Sequence, residues 1–281
     1  MRIGIIIKKE LPDAIDIVKG LLKTFVSRDV KVIAEPQVAK RLGIRGYRRE
    51  DIPAKSDLII VFGGDGTLLS VARLVGDKGI PILGVNLGGL GFITGLHKDE
   101  IKKHIDDIVS GRYIFEERIN LSADVIRKGK RMAHHTALND VVISKGALAR
   151  MIELDIDINN RYVTTFKADG LIISTPTGST AHSLSAGGPI LYPTLESFVI
   201  SPICPHTLTS RPIVIPDTFV VSINIKTGDD IFLTLDGQVG VPLQVNDMII
   251  IKKSDYKTRF VFLHERDYFK VLRTKLKWGE R

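Results

Sequence analysis

Asp57-Leu58-Ile59-Ile60-Val61-Phe62-Gly63-Gly64-Asp65-Gly66-Thr67 is an apolar run cut off by a cluster of glycines. Continuous apolar residues of strand type predict a strand covered on both faces, as in a parallel sheet. Thr67–Val75 has helical composition, so the unit is strand, tight loop, helix. Upstream, Arg2–Lys8 reads as a strand that ends in Lys8 and Lys9. Ile15, Val18, Leu22 and Phe25 then mark one face of a helix. Val30–Ala34 is a second strand and Val38–Leu42 a short helix. Downstream, Ile80–Val85 is a strand running into Gly88-Gly89-Leu90-Gly91. Ile101, Ile105, Ile108 and Val109 predict a further amphipathic helix closed by Gly111. This alternation predicts an α/β domain over residues 1–115: a parallel sheet with helices on both faces.

Near residue 116 the period changes to two. Ile152, Leu154, Ile156 and Ile158 alternate with Glu153, Asp155 and Asp157, whose carboxylates read as a solvated outer face. Val221, Ile223 and Ile225 interleave with polar residues, and turn signals recur at Asn159-Asn160, Thr227 to Asp230 and Asn246-Asp247. Residues 116–255 therefore form a β-rich domain, antiparallel and sandwich-like. Tyr268, Val271, Leu272 and Leu276 give a last helix, within Tyr268–Trp278.

The length, 281 residues, accommodates one large or two modest domains. With 44% hydrophobic and 26% charged residues the composition is globular, which excludes wholesale disorder. No apolar run approaches the ~20 residues of a membrane span, so no membrane is expected as a partner. The apolar start is too short for a signal-peptide core. The lone cysteine, Cys204, allows no disulfide within the chain and reads as a small core residue in a reducing cytoplasm. The net charge of +8 suits anionic ligands, but the basic residues are dispersed, and no nucleic-acid partner is expected.

Three stretches carry chemistry. Gly63, Gly64, Gly66 and Thr67 sit where backbone N–H groups can approach phosphate, at the start of a helix. The loop is neither a Walker A nor a Rossmann fingerprint, and by glycine content alone it reads equally as a tight turn. Asp65 shifts the balance. A carboxylate beside a phosphate is repelled unless a metal intervenes or the carboxylate takes a proton, and both options point to phosphoryl transfer. Thr175-Pro176-Thr177-Gly178-Ser179-Thr180 packs hydroxyls around a glycine before a helical Ala181–Ala186. It suits an anion or a ribose, or is an ordinary capped turn. Asn139-Asp140 suits a vicinal diol, or is an Asx-turn at a strand start. His134 and His135 are adjacent, so on a strand they point to opposite faces and share no metal.

With these loops in this order, the chain resembles the prokaryotic NAD kinases. The resemblance rests on Gly63-Gly64-Asp65-Gly66-Thr67, Leu90-Gly91-Phe92, Leu138-Asn139-Asp140, Ala168-Asp169-Gly170, Ser174 to Ala181 and Asp236-Gly237-Gln238, and spans nearly the whole chain. The glycine loop alone is shared with lipid kinases and phosphofructokinases. The resemblance implies that residues 256–281 return to the first domain, with the final helix packed on it. It implies transfer of a terminal phosphate from ATP, or another donor, to the adenosine-ribose 2′-hydroxyl of NAD. Asp65 would be the general base, and a divalent metal, magnesium for ATP, would accompany the donor. Asn139 and Asp140 match the ribose-binding pair. Asp65, Gly66, Arg150, Lys167, Asp169, Thr180, Ala181, His182, Ser183, Leu184, Ser185 and Gln238 match further NAD contacts. His182 stands where the family usually has Tyr, though a His can still stack or hydrogen-bond. The resemblance further implies a cytoplasmic homodimer or homotetramer with sites near subunit contacts. Two rivals predict otherwise: a lipid or sugar kinase of the same superfamily, and a dinucleotide-binding module without turnover.

Overall fold

The computed structural model describes residues 1–8, 12–89 and 91–279. Lys9 and Leu90, named above, lie outside the described residues. The chain divides into two compact units, residues 1–117 with 258–281, and residues 118–257.

In the first unit a parallel sheet runs Lys31–Ala34, Arg2–Ile7, Leu58–Phe62, Ile82–Asn86, with the short strand Leu96–His97 at its edge. Leu58–Phe62 is fully buried, as its unbroken apolar sequence requires. Helices Pro12–Ser27, Pro36–Leu42 and Asp65–Val75 accompany these strands. The order reverses at Arg2–Ile7, which has a neighbour on each side, and Ile7 pairs with Phe62. In open α/β sheets ligands bind outside the carboxyl ends of the strands at such a reversal, and the glycine loop leaves the sheet there. The terminal helix Tyr268–Leu276 belongs to this unit and buries Tyr268, Val271 and Leu272. Asp267 caps it, accepting from Lys270 N at 2.9 Å.

In the second unit, six antiparallel strands run in the order Ile213–Pro216, Ser197–Ile203, Gly170–Ser174, Asp140–Lys145, Ile231–Leu235, Val239–Leu243. A second layer contains Arg161–Ala168, Ile152–Ile158 and Val221–Thr227, which pairs with the start of Met248–Phe262. Ile114–Arg127 and Lys130–Ala137 form a hairpin. One core joins the layers: Val141, Ile143, Leu171 and Leu233 from one, Leu154, Ile156, Val221 and Ile223 from the other. Each such buried side chain contributes roughly 1.5–3 kcal/mol relative to exposure. The outer-face carboxylates are ion-paired, Glu153 to Lys167 at 3.2 Å and Asp155 to Lys226 at 3.3 Å.

Several elements differ from the sequence expectation. The helix after the glycine loop starts at Asp65, because Gly64, in extended conformation, takes the cap position. Helix Ile105–Val109 is shorter than its periodicity suggests. The segment before it closes by three-residue turns, Glu100 N to His97 O and Lys103 N to Glu100 O. The helix expected over 181–186 is reduced to one turn, His182–Ser185, which Ala181 (φ −100°, ψ −129°) separates from a preceding 3-10 turn, Thr177–Thr180. Cys204 is no core residue: it is exposed, on a turn with φ 45° that ends the strand Ser197–Ile203.

Candidate active site

Asp65 lies in the first unit. Phe62 ends its strand, Gly63 N donates to Val85 O at 3.0 Å, and the Gly64 carbonyl accepts from Thr67 N and Leu68 N. Asp65 therefore stands in the first turn of its helix, where the positive end of the helix dipole favours an anion. Its carboxylate accepts from Phe92 N at 2.8 Å and Ile93 N at 3.1 Å. Gly91 makes this approach possible, since a Cβ there would lie 2.3 Å from Asp65 Oδ1. An ionised carboxylate accepts at about four lone-pair sites, so two amides leave capacity for a hydroxyl.

Arg266 steadies the loop that carries these amides. Its Nη2 donates to the Gly91 carbonyl at 3.0 Å, and its guanidinium lies 5.3 Å over the Phe262 ring. Burial pushes the guanidinium's pKa below its ordinary value, against the pull of Glu116 and Asp65. Beside it is a cavity of about 420 Å³ lined in part by Asn86, Thr94, His97, His264 and Lys270. Sequence reasoning missed Arg266, whose partner Gly91 is far away in the chain.

In the second unit, Leu138-Asn139-Asp140 lies at the start of the strand Asp140–Lys145. Every backbone polar group of these residues is taken. The Asp236 carboxylate accepts from Leu138 N (3.2 Å), Asn139 N (2.7 Å) and Asp140 N (3.3 Å). The Leu138 carbonyl accepts from Thr175 Oγ1 at 2.6 Å, that of Asn139 from Thr175 N at 2.9 Å, and that of Asp140 from Asp236 N at 3.0 Å. Asn139 Oδ1 is buried with no hydrogen-bond partner, and so is Thr177 Oγ1. Buried acceptors without a donor carry a desolvation cost that a bound ligand would relieve.

Asp140 is fully buried and faces His182 Nδ1 at 3.2 Å from each carboxylate oxygen. The hydrogen bond and charge of Asp140 raise the His182 pKa above 6.5, against the effect of burial. Burial also pushes Asp236 up, beyond what its three amide donors pull back, and the nearby Asp140 adds to the rise.

The structure brings together Asn139, Asp140, the Thr177–Thr180 turn, and the following Ala181, His182, Ser183, Leu184 and Ser185. Asp236 and Gly237 join them, a Cβ at 237 lying 3.2 Å from His182 Cε1. Ser183 is buried against Ser201 Oγ at 3.1 Å. Gln238 is exposed in the turn just before the strand Val239–Leu243. Arg150, Lys167 and Asp169 are elsewhere. Lys145 Nζ lies 3.6 Å from Asp169, at the far end of the strand that Asp140 begins, and Lys167 pairs with Glu153. Arg150 is exposed in the loop that follows Lys145. Among the described residues no group of three or more His, Cys, Asp or Glu is placed to hold a metal ion, and no helix is long and apolar enough to cross a membrane.

Comparison with known proteins matches residues 3–113 to the ATP-NAD kinase N-terminal domain and residues 138–263 to the ATP-NAD kinase C-terminal domain. The chain is 49% identical to an NAD kinase of Geotalea daltonii and 48% identical to one of Geobacter sulfurreducens. Each match covers 100% of this chain and 99% of the relative. A yeast NADH kinase solved with NADH superposes with a TM-score of 0.92 at 27% identity, over 100% of this chain and 89% of that one. An Archaeoglobus fulgidus NAD kinase solved with ATP shares the fold, with a TM-score of 0.78 at 24% identity over 99% of each chain.

Proposed function

The chain belongs to the NAD kinase family, and on that footing we propose that it transfers the terminal phosphate of ATP to the adenosine-ribose 2′-hydroxyl of NAD, making NADP. The observation that carries the activity is the similarity to NAD kinases over the full length of the chain. Asn139 and Asp140 grip the ribose diol: Asn139 supplies the complementary amide, and Asp140, covered here by His182, accepts from the hydroxyls once that ring swings aside. Asp65 takes the proton of the 2′-hydroxyl as it attacks the phosphorus. The ordered backbone around Leu138–Asp140 supports that assignment, and the unpartnered Asn139 Oδ1 is a further acceptor for a ribose hydroxyl. A positioned base contributes roughly 10²–10⁴-fold, with orientation supplying much of the rest.

The divalent metal enters with the donor as part of the substrate, neutralising charge on its phosphates. Thr67 and the amides around Gly63, Gly64 and Gly66 serve the phosphates. Thr180, Ala181, His182, Ser183, Leu184, Ser185 and Gln238 line the NAD side.

Arg150, Lys167 and Asp169 act differently. Asp169, beside Lys145 at the far end of Asp140–Lys145, is separated from the diol pair by roughly 17 Å, at a strand's rise of about 3.4 Å per residue. We assign all three to the NAD site of a neighbouring copy, in a homodimer or homotetramer. The lone cysteine is consistent with a cytoplasmic enzyme.

The test is direct. Purified protein, NAD, ATP and magnesium are incubated, and product is read with an NADP-specific dehydrogenase. NADP that depends on every component supports the reading. No NADP, with phosphate passing instead to a lipid or a sugar, overturns it.

A further inference from the structure

The Leu138–Asp140 backbone leaves no polar group unoccupied, and two residues do all of the occupying. Asp236 receives its three N–H groups and returns its own N–H to the Asp140 carbonyl. Thr175 covers the remaining carbonyls, those of Leu138 and Asn139, and its hydroxyl also accepts from Gly178 N at 3.1 Å. Asp236 (φ 50°) and Gly237 (φ 64°) are the two central residues of the tight turn between Ile231–Leu235 and Val239–Leu243, closed by Gln238 N donating to Leu235 O at 2.9 Å. That turn sets the buried Asp236 carboxylate against the three amides of Leu138–Asp140.

A strand start is ordinarily free to shift. The grip of a side chain on a sugar is no better placed than the backbone that carries it. We propose that Asp236 and Thr175 are the positioning residues of the ribose grip: they fix the backbone from which Asn139 and Asp140 reach the diol. Neither need touch the dinucleotide. The proposal rests on the NAD kinase reading and deepens it, because it says which residues make the diol pair discriminate.

The experiment measures binding alone, by calorimetry without donor. The ligands are NAD and an NAD analogue whose adenosine ribose lacks both hydroxyls. Wild-type protein is expected to prefer NAD by roughly tenfold or more, as hydrogen bonds to a charged group supply. Asp236→Asn keeps the size of the side chain and loses the charge. It is expected to bring the two affinities to within about twofold, chiefly by weakening NAD, with the analogue's affinity unchanged. Thr175→Val removes only the hydroxyl, with its bonds to Leu138 O and from Gly178 N, and is expected to cut the preference by about threefold or more. Should Asp236→Asn not fold, Thr175→Val decides alone. Equal weakening of both ligands, or an undiminished preference, overturns the positioning role. Wild-type protein with no preference overturns the ribose-grip reading first, and the proposal with it.

Discussion

His182 Nδ1 stands 3.2 Å from both carboxylate oxygens of Asp140, which has no exposed surface. The imidazole is thereby the charge partner of a buried anion, with Asp236 nearby as a second negative group. Its pKa in the folded chain is raised, first by the hydrogen bond to Asp140. A raised folded pKa means the native state binds the proton more tightly than the unfolded chain. The stabilisation is therefore fully present below the unfolded value of 6.5 and lost as pH rises through the folded value. His182→Gln should lower the melting temperature more at pH 6 than at pH 9. Equal losses at both pH values would show that His182 packs there without pairing.

Gly178 lies against the same segment. A Cβ at 178 would stand 2.1 Å from the Asn139 carbonyl oxygen and 2.6 Å from its Cα, both backbone atoms with no rotamer to yield. Gly178→Ala should therefore push the Asn139 backbone away, at about 1–3 kcal/mol of stability, the usual range for overpacking. The KM for NAD should rise while that for ATP holds. Thermal unfolding and steady-state kinetics check both, and an unchanged KM for NAD would mean that the turn shifts instead.

How much of this was legible in the sequence depends on the range of each interaction. Leu58–Phe62 declared its burial through an unbroken apolar run, and Ile152–Ile158 its half-burial through alternation, because both patterns are local. Asp65 was legible because a carboxylate among glycines has few roles. Asp236 was quoted only as part of a motif: its partners lie 96 to 98 residues away, and nothing beside it in the chain hints at amide donors. Arg266 is further still from Gly91, 175 residues. Cys204 misled for the opposite reason. Its apolar neighbours imply core, but the strand has already ended and the chain turns there into solvent.

Arg127 and Asp247 form a two-pronged ion pair, 2.8 Å on each prong, and Asp247 also accepts from Gln244 N at 2.8 Å. The carboxylate is buried, while about a quarter of the arginine side chain is exposed. Burial alone would raise the Asp247 pKa, but the bonds from Arg127 and Gln244 hold it below 3.8. Removing Arg127 leaves the buried Asp247 carboxylate without its charge partner. Arg127→Ala should therefore lower stability, with NAD turnover per folded molecule unchanged. A depressed folded pKa contributes stability that is present above 3.8 and lost as pH falls through the folded value. The gap between wild type and variant in urea unfolding should accordingly narrow toward acid pH.

In the proposed reaction Asp65 takes the proton. Its carboxylate is held by the Phe92 and Ile93 amides, so its position depends on that loop and on Gly91 beside it. Asp65→Asn keeps an oxygen to accept from one amide and removes the ability to take a proton. The kcat for NADP formation should fall by ~10²–10⁴, the range for a positioned general base, with the KM for NAD changed little. Gly91→Ala is the complementary change. It leaves the carboxylate in place chemically but forces it aside, because the new Cβ would overlap Asp65 Oδ1. It too should lower kcat. A variant lacking the carboxylate that still phosphorylates NAD at the wild-type rate would remove Asp65 from the proton transfer. The catalysis would then rest on orientation and the donor's metal alone.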